Sequence, residues 1–334
     1  MPQLNIGLIG AGLMGSFHGD TLANRLTGAR LAAISDPVEA AANRVLAEIQ
    51  RDDVRYEPDY QRLLADPTID GVVIATPGRF HADVIVASAQ AGKPTFCEKP
   101  IAHTAADASR AVEAAERART ILQIGFQRRF DPGYQRARRQ IDEGALGDIH
   151  LLRSITRDPA VPRPEGALPW AIFLETLIHD FDALYWLAGS RPVEVFAQAD
   201  ARVWPRGQEG MLDTALVSIK YANGALATAD SSFQSGYGYD VRAEVFGSAG
   251  MMTIGDGRLD SANHYSGTGV SRAQAYWFKD LFAVGYRAEL QHFVDCVRNG
   301  TQPSVTGRDG QVSLATSLAA IESVKTGRPV SVSA

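Results

Sequence analysis

Leu4-Asn5-Ile6-Gly7-Leu8-Ile9-Gly10-Ala11-Gly12-Leu13-Met14-Gly15 is an apolar run that passes without a break into a glycine-rich turn, and a helical pattern follows from about Ser16. The run has strand length, and its glycines stand in the order G-x-G-x-x-G. In that setting Gly10 permits the tight turn, Gly12 lets the backbone approach a pyrophosphate, and Gly15 lets helix and strand pack closely, with Leu13 and Met14 completing the loop. The second strand, Ala29 to Ser35, ends at Asp36, about 20 residues past the turn, where a ribose-binding acid belongs. A carboxylate there accepts from both ribose hydroxyls and repels a 2′-phosphate, and no arginine adjoins it in sequence, so NAD is favoured over NADP. Asp36 also stands where it can cap a helix over Val38 to Ile49, and the two roles can coexist.

The alternation continues with a helix at Tyr60 to Leu64, a strand at Ile69 to Ala75 and a loop at Thr76 to His81. A helix at Ala82 to Ala91, a strand at Pro94 to Cys97, a helix from about Thr104 to Arg119 and a strand at Ile121 to Phe126 complete it. Strand and helix in this order predict a doubly wound parallel sheet, whose ligands lie at the carboxyl ends of its strands. Gly10, Asp36, Thr76, Glu98 and Lys99 all fall at such ends.

Among these ends, Thr95-Phe96-Cys97-Glu98-Lys99-Pro100-Ile101 sets a lysine and a carboxylate side by side where an apolar run stops. Proton exchange by a lysine near neutral pH requires its pKa to fall well below about 10.4, which partial burial and a nearby cation achieve. Pro100 biases Lys99 away from helix, so the lysine is held at a kink; a plain surface turn is the competing reading.

After Pro132 the pattern changes. A helix from about Gly133 to Glu143 and a strand from Ile149 to Arg157 lead to strands near Val193 to Asp200, Leu212 to Tyr221, Ala225 to Ser232, Tyr239 to Gly247 and Gly250 to Ile254. Most of these follow one another without helices, which predicts an α+β domain with a large, mostly antiparallel open sheet. The expected division is a Rossmann-type α/β domain over residues 1–125 and an α+β domain over 126–334. Ser261 to Ser271 reads as a surface loop, and Glu289 to Arg298 and Gln311 to Lys325 read as packing helices.

A second chemical cluster is Phe173-Leu174-Glu175-Thr176-Leu177-Ile178-His179-Asp180-Phe181-Asp182. On a regular helix Glu175, His179 and Asp182 share one face, and a carboxylate beside an imidazole makes an acid/base unit. A solvated polar face is the alternative, but the flanking residues are apolar.

A chain of 334 residues with a net charge of −5 and 45% hydrophobic residues describes a mildly acidic globular protein, with no basic field for nucleic acid. Cys97 and Cys296 form no CxxC pair and the seven histidines show no paired metal-ligand spacing, so neither a disulfide scaffold nor a metal is expected. With no basic leader pattern and no long apolar run, a cytoplasmic protein without membrane partners is predicted.

AGLMG (11–15), ATPGRFHA (75–82), FCEKP (96–100) and IGFQRRFDPGY (124–134) together resemble the Gfo/Idh/MocA family of sugar and polyol dehydrogenases, nearly end to end. Within it the inositol 2-dehydrogenases share FCEKP, a GFxRRxD stretch and TLIHxxD (176–182). The resemblance implies NAD-dependent oxidation of myo-inositol to 2-keto-myo-inositol; scyllo-inositol or a pyranose as substrate, and a cofactor-sensing regulator, are the alternatives. It implies Lys99 as the catalytic lysine, His179 as general acid/base, and Glu175 where the family has Asp. Arg128 and Tyr239 match polyol-contacting positions, Asp158 stands where those enzymes tend to have Asn, and Thr176 is grouped with these substrate residues. For Arg128 a salt bridge in an exposed basic cluster with Arg129 fits equally, as does interface packing for Tyr239. Family members pair through the second sheet, so a homo-tetramer or dimer is implied.

Overall fold

The computed structural model describes residues 3–159 and 167–333. The chain divides into two compact units, one of the residues up to Gln127 with Tyr286–Gln311, the other of Arg128–Gly285 with the chain from Val312 on.

In the first unit, strands β1 (Leu4–Ile9), β2 (Ala29–Ser35), β3 (Arg55–Glu57), β4 (Gly71–Ile74), β5 (Thr95–Glu98) and β6 (Leu122–Gly125) form one sheet in the order β3-β2-β1-β4-β5-β6. Every pairing in it is parallel. Helices α1 (Leu13–Asn24), α2 (Glu39–Ile49), α3 (Tyr60–Ala65), α4 (His81–Gln90) and α5 (Ala105–Ala118) alternate with the strands. β4, β5 and β6 are buried throughout, which is why they read as unbroken apolar runs. Strand order reverses between β1 and β4, the position where such sheets bind ligands.

Two local expectations change. Helix α1 begins at Leu13 and not near Ser16, because Gly12 caps it in an extended conformation and its carbonyl accepts the Ser16 N–H at 2.8 Å. Edge strand β3 was not anticipated, since Arg55-Tyr56-Glu57 is short and polar, as edges usually are.

The second unit holds α6 (Pro132–Asp142), β7 (Ile149–Arg157), a π-helical turn (Ile172–Leu177), α7 (Ile178–Ala188), β8 (Pro192–Asp200), β9 (Thr214–Tyr221) and β10 (Leu226–Ser232). β11 (Asp240–Gly247), β12 (Gly250–Ile254), β13 (Arg258–Ser266), β14 (Gly269–Gln274), α8 (Phe278–Leu281), α9 (Ala283–Asn299), α10 (Gly307–Thr326) and β15 (Val330–Ser331) complete the chain. Its large sheet runs β12-β11-β7-β10-β9-β8-β15 and is antiparallel except between β7 and β10. Alternating burial along β9 gives the sheet one covered and one open face.

Residues 261–271, expected as a loop, lie in the hairpin β13–β14. Nearly every residue of that hairpin is exposed, so its sequence carries no inward apolar period to reveal it. The segment Tyr286–Gln311 belongs to the first unit: Leu290, Phe293 and Val294 of α9 join Ile6, Leu8, Leu31, Ile34, Val73 and Phe96 in one core. Among the described residues no helix is long and apolar enough to cross a membrane.

Candidate active site

The glycine turn is shaped by its backbone. Gly10 has φ +102°, and a Cβ there would stand 2.7 Å from the Ala75 carbonyl and the Thr76 nitrogen, so only glycine fits. At Gly15 a Cβ would run into the Gly10 carbonyl oxygen, whereas at Gly12 it would meet open space. Gly12 therefore keeps room at the mouth of α1 for something other than protein, and Leu13 beside it is 59% exposed. This is the cradle a pyrophosphate needs, and the residues fit NAD. Leu13 and Met14 form the first turn of α1.

Asp36 ties the turn to the next strand end. Its Oδ2 accepts the Ala11 N–H and its Oδ1 the Val38 N–H, both at 2.8 Å. The helix-entry role is thus real, although the capping position itself is Val38. Arg44 of α2 donates to the Ala11 carbonyl at 3.2 Å, a cation beside the turn that sequence adjacency did not reveal.

At the ends of β4 and β5, buried His81 sets Nδ1 2.7 Å from the Pro100 carbonyl and Nε2 2.7 Å from the Thr76 carbonyl. Carbonyls only accept, so the geometry is satisfied in full by an imidazole carrying both protons, and it pins the Thr76 loop to the Lys99-Pro100 turn. Glu98 is buried; its Oε1 lies 2.7 Å from His18 Nε2, and its Oε2 accepts the Lys99 N–H at 3.2 Å. Burial alone would raise the Glu98 carboxyl, but the His18 hydrogen bond and the charges of His18, Lys99 and His81 hold it below the ordinary carboxylate value. Glu98, expected on the cofactor side, is thus engaged inside the protein, while Lys99 is half-buried.

The second unit carries a different arrangement. Arg128 is 1% exposed, and its guanidinium donates to Asp180 Oδ1 at 2.8 Å and to Thr156 Oγ1 at 2.9 Å. Asp180 also accepts from Ser154 and Thr156. Arg129 makes a two-pronged pair with Asp182, at 2.8 and 2.6 Å. The exposed basic cluster expected for these arginines is therefore replaced by two separate buried ion pairs, and Asp182, expected beside His179, is taken by Arg129. Burial opposes the Arg128 charge, yet Asp180 raises its pKa above the usual value.

Tyr239 lies just ahead of β11, buried edge-on against Phe282 at 6.4 Å, and its hydroxyl is pushed up by burial and by the charge of Asp158. The charges of both Asp158 and Arg128 thus act on the Tyr239 hydroxyl. Glu175 and Thr176 fall in the π-helical turn and His179 in the first turn of α7. That turn breaks the regular 3.6-residue period assumed for them. All three are half-buried, whereas Asp180 and Asp182 are fully buried. Sequence reasoning missed His18, Asp180 and Glu289 as members of polar networks. The one available signal was the spacing Gly15, His18, Gly19, Leu22, which puts a histidine on the buried face of α1.

Residues 4–126 match the family described as oxidoreductase family, NAD-binding Rossmann fold, and residues 134–253 match the GFO/IDH/MocA C-terminal domain. The chain is 35% identical to scyllo-inositol 2-dehydrogenase (NAD(+)) of Bacillus subtilis, over 98% of this chain and 96% of the relative. It is 34% identical to myo-inositol 2-dehydrogenase of Thermotoga maritima, over 98% of each chain. The crystal structure of myo-inositol dehydrogenase from Lactobacillus casei in complex with NAD(H) and myo-inositol aligns with a TM-score of 0.92 at 27% identity, covering 99% of this chain and 97% of that one.

Proposed function

The chain belongs to the Gfo/Idh/MocA family of oxidoreductases, with an NAD-binding Rossmann domain, and on that basis we propose that it oxidises a secondary hydroxyl of a cyclic polyol, myo-inositol to 2-keto-myo-inositol first among them. Bound NAD would supply the hydride acceptor. Gly10, Gly12, Gly15, Leu13 and Met14 would hold its pyrophosphate, with Asp36 on the ribose and the Thr76 loop alongside. His179, oriented by Glu175, is assigned the hydroxyl proton, and Lys99 the stabilisation of the negative charge that develops on the substrate oxygen. Arg128, Asp158, Thr176 and Tyr239 are assigned to the polyol; Arg128 acts there while paired with Asp180.

The observation that carries this reading is the near full-length similarity to inositol dehydrogenases together with an intact Lys99 and His179. scyllo-Inositol is the second candidate, favoured by the name of the B. subtilis relative. A panel of myo-inositol, scyllo-inositol and pyranoses with NAD, followed by NADH absorbance, tests both. Myo-inositol is expected to give the highest kcat/KM; a pyranose exceeding both inositols overturns the assignment.

The same reading makes the enzyme a cytoplasmic homo-oligomer, a tetramer or dimer built through the open face of the large sheet. Leu226, Leu151, Phe246 and Met251 face one another across neighbouring strands there, 48%, 51%, 41% and 54% exposed. Such an apolar row supports burial against a second copy. Light scattering showing a monomer at micromolar concentration would refute it.

A further inference from the structure

Beside Lys99 in the first unit, three polar side chains with no part in the proposed reaction are sealed together: His18 from α1, Glu98 at the end of β5 and Glu289 from α9. One nitrogen or carboxylate oxygen of each lies within 4.8 Å of the others, and the residues are 0%, 5% and 0% exposed. Glu98 is well provided with donors, from His18 and the Lys99 backbone. Glu289 is not: neither of its carboxylate oxygens has a hydrogen-bond partner among the described residues. Two carboxylates this close and away from water resist ionising together, and an ionised Glu289 would be a buried charge with no hydrogen-bond donor of its own among the described residues. The proton therefore resides on the carboxyl that has fewer donors.

We propose that Glu289 is an uncharged carboxylic acid that donates its O–H to Glu98, and that it is thereby a positioning residue for Lys99, fixing the carboxylate on which the Lys99 turn rests. The positioning role rests on the reading of Lys99 as the catalytic lysine; the location of the proton does not. The titratable and charged groups around the pair include His18, the Tyr286 phenol beside it, the buried Cys97 thiol next to Glu98 and, beyond Glu98, Lys99 and His81. His18 is otherwise bordered by the rings of Phe17, Phe96 and Tyr286. Burial and the Glu98 charge both push the Glu289 carboxyl well above the usual carboxylate range, in line with the geometry. The alternative occupant of such a cluster is a divalent cation. With three donors and no exposed ligand position, a proton satisfies the same groups without a fourth ligand.

Three readouts on the intact protein test this. Infrared difference spectra of wild type against Glu289→Gln at neutral pH should show the carbonyl band of a protonated carboxylic acid that the variant lacks; absence of that band overturns the proposal. Thermal unfolding supplies a sign. A carboxyl whose folded-state pKa is raised keeps a proton that the unfolded chain releases above about pH 4.3, so wild type loses stability as pH rises from there. Glu289→Gln has no such loss, and its Tm relative to wild type should climb between about pH 5 and 8. A flat or falling difference means that Glu289 is ionised and paired, and a stoichiometric metal in the purified protein means the same; either result overturns the proposal. In turnover, Glu289→Gln, which keeps a donor, should lower kcat about threefold, and Glu289→Leu about thirtyfold, with the Kd for NAD unchanged in both. Equal damage by Gln and Leu overturns the positioning role. Should Glu289→Leu fail to fold, the spectrum and the Tm trend of Glu289→Gln decide. Lys99→Ala in parallel separates the two readings: if it keeps its rate, Lys99 is not catalytic, and the infrared band still decides where the proton is.

Discussion

Around Gly10, Gly12 and Gly15 the working surface is backbone, and three absent side chains define it. Around Arg128 and Asp180 it is the reverse: long polar side chains are buried and hold one another through hydrogen bonds to Ser154 and Thr156. A backbone site tolerates change wherever a new Cβ finds space. A network of buried charges tolerates almost none, because each member lost leaves another uncompensated.

The largest expected effect lies on the network side. Asp180→Ala strands the Arg128 guanidinium, both members being at most 1% exposed, and should cost about 3–5 kcal/mol in denaturant unfolding. A loss below about 1 kcal/mol would show that the network is not a closed unit and would break the contrast.

Lys99 and His179 come next, as the side chains proposed for the chemistry. Lys99→Ala should lower turnover about a hundredfold, or about 2.7 kcal/mol, with NAD binding retained. His179→Ala should remove the rise of oxidation rate with pH that a histidine base imposes, a limb that Lys99→Ala keeps. Retention of that limb in His179→Ala would place the base elsewhere.

The glycines sharpen the comparison within a single turn. Gly15→Ala should destabilise the fold by about 1–3 kcal/mol, because its Cβ meets the Gly10 carbonyl. Gly12→Ala should change stability by less than about 0.5 kcal/mol, since its Cβ enters open space, yet weaken NAD at least about tenfold. Calorimetry and NAD titration of the pair separate the two; equal stability losses would mean that the space at Gly12 is not the ligand's.

Smallest is the change in cofactor choice. Asp36→Ala should narrow the preference for NAD over NADP by about tenfold, as the carboxylate leaves and Arg44 stays beside the turn. Ratios of kcat/KM for the two cofactors measure it, and an unaltered ratio would remove Asp36 from the ribose site.

What could be read in the chain follows the same division. The parallel sheet, the glycine turn, Asp36 and the Lys99-Pro100 turn are written in short contiguous stretches, where steric rules act on neighbours in sequence. The hairpin β13–β14 escaped because exposed strands carry no burial period, and the π-helical turn at Ile172–Leu177 because a local change of helical period leaves no compositional mark.

By itself, then, the sequence determined an NAD-type turn, two kinds of sheet and a pair of chemical stretches, because each rests on backbone periodicity or on glycine sterics within a few residues. Only the tertiary structure decided which charges are spent on one another. Arg128 with Asp180, Arg129 with Asp182, and Glu98 with His18 beside Glu289 join residues distant in the chain. Their partners are chosen by where the chain returns, as when Tyr286–Gln311 comes back to the first unit, and burial then converts each choice into an energetic requirement.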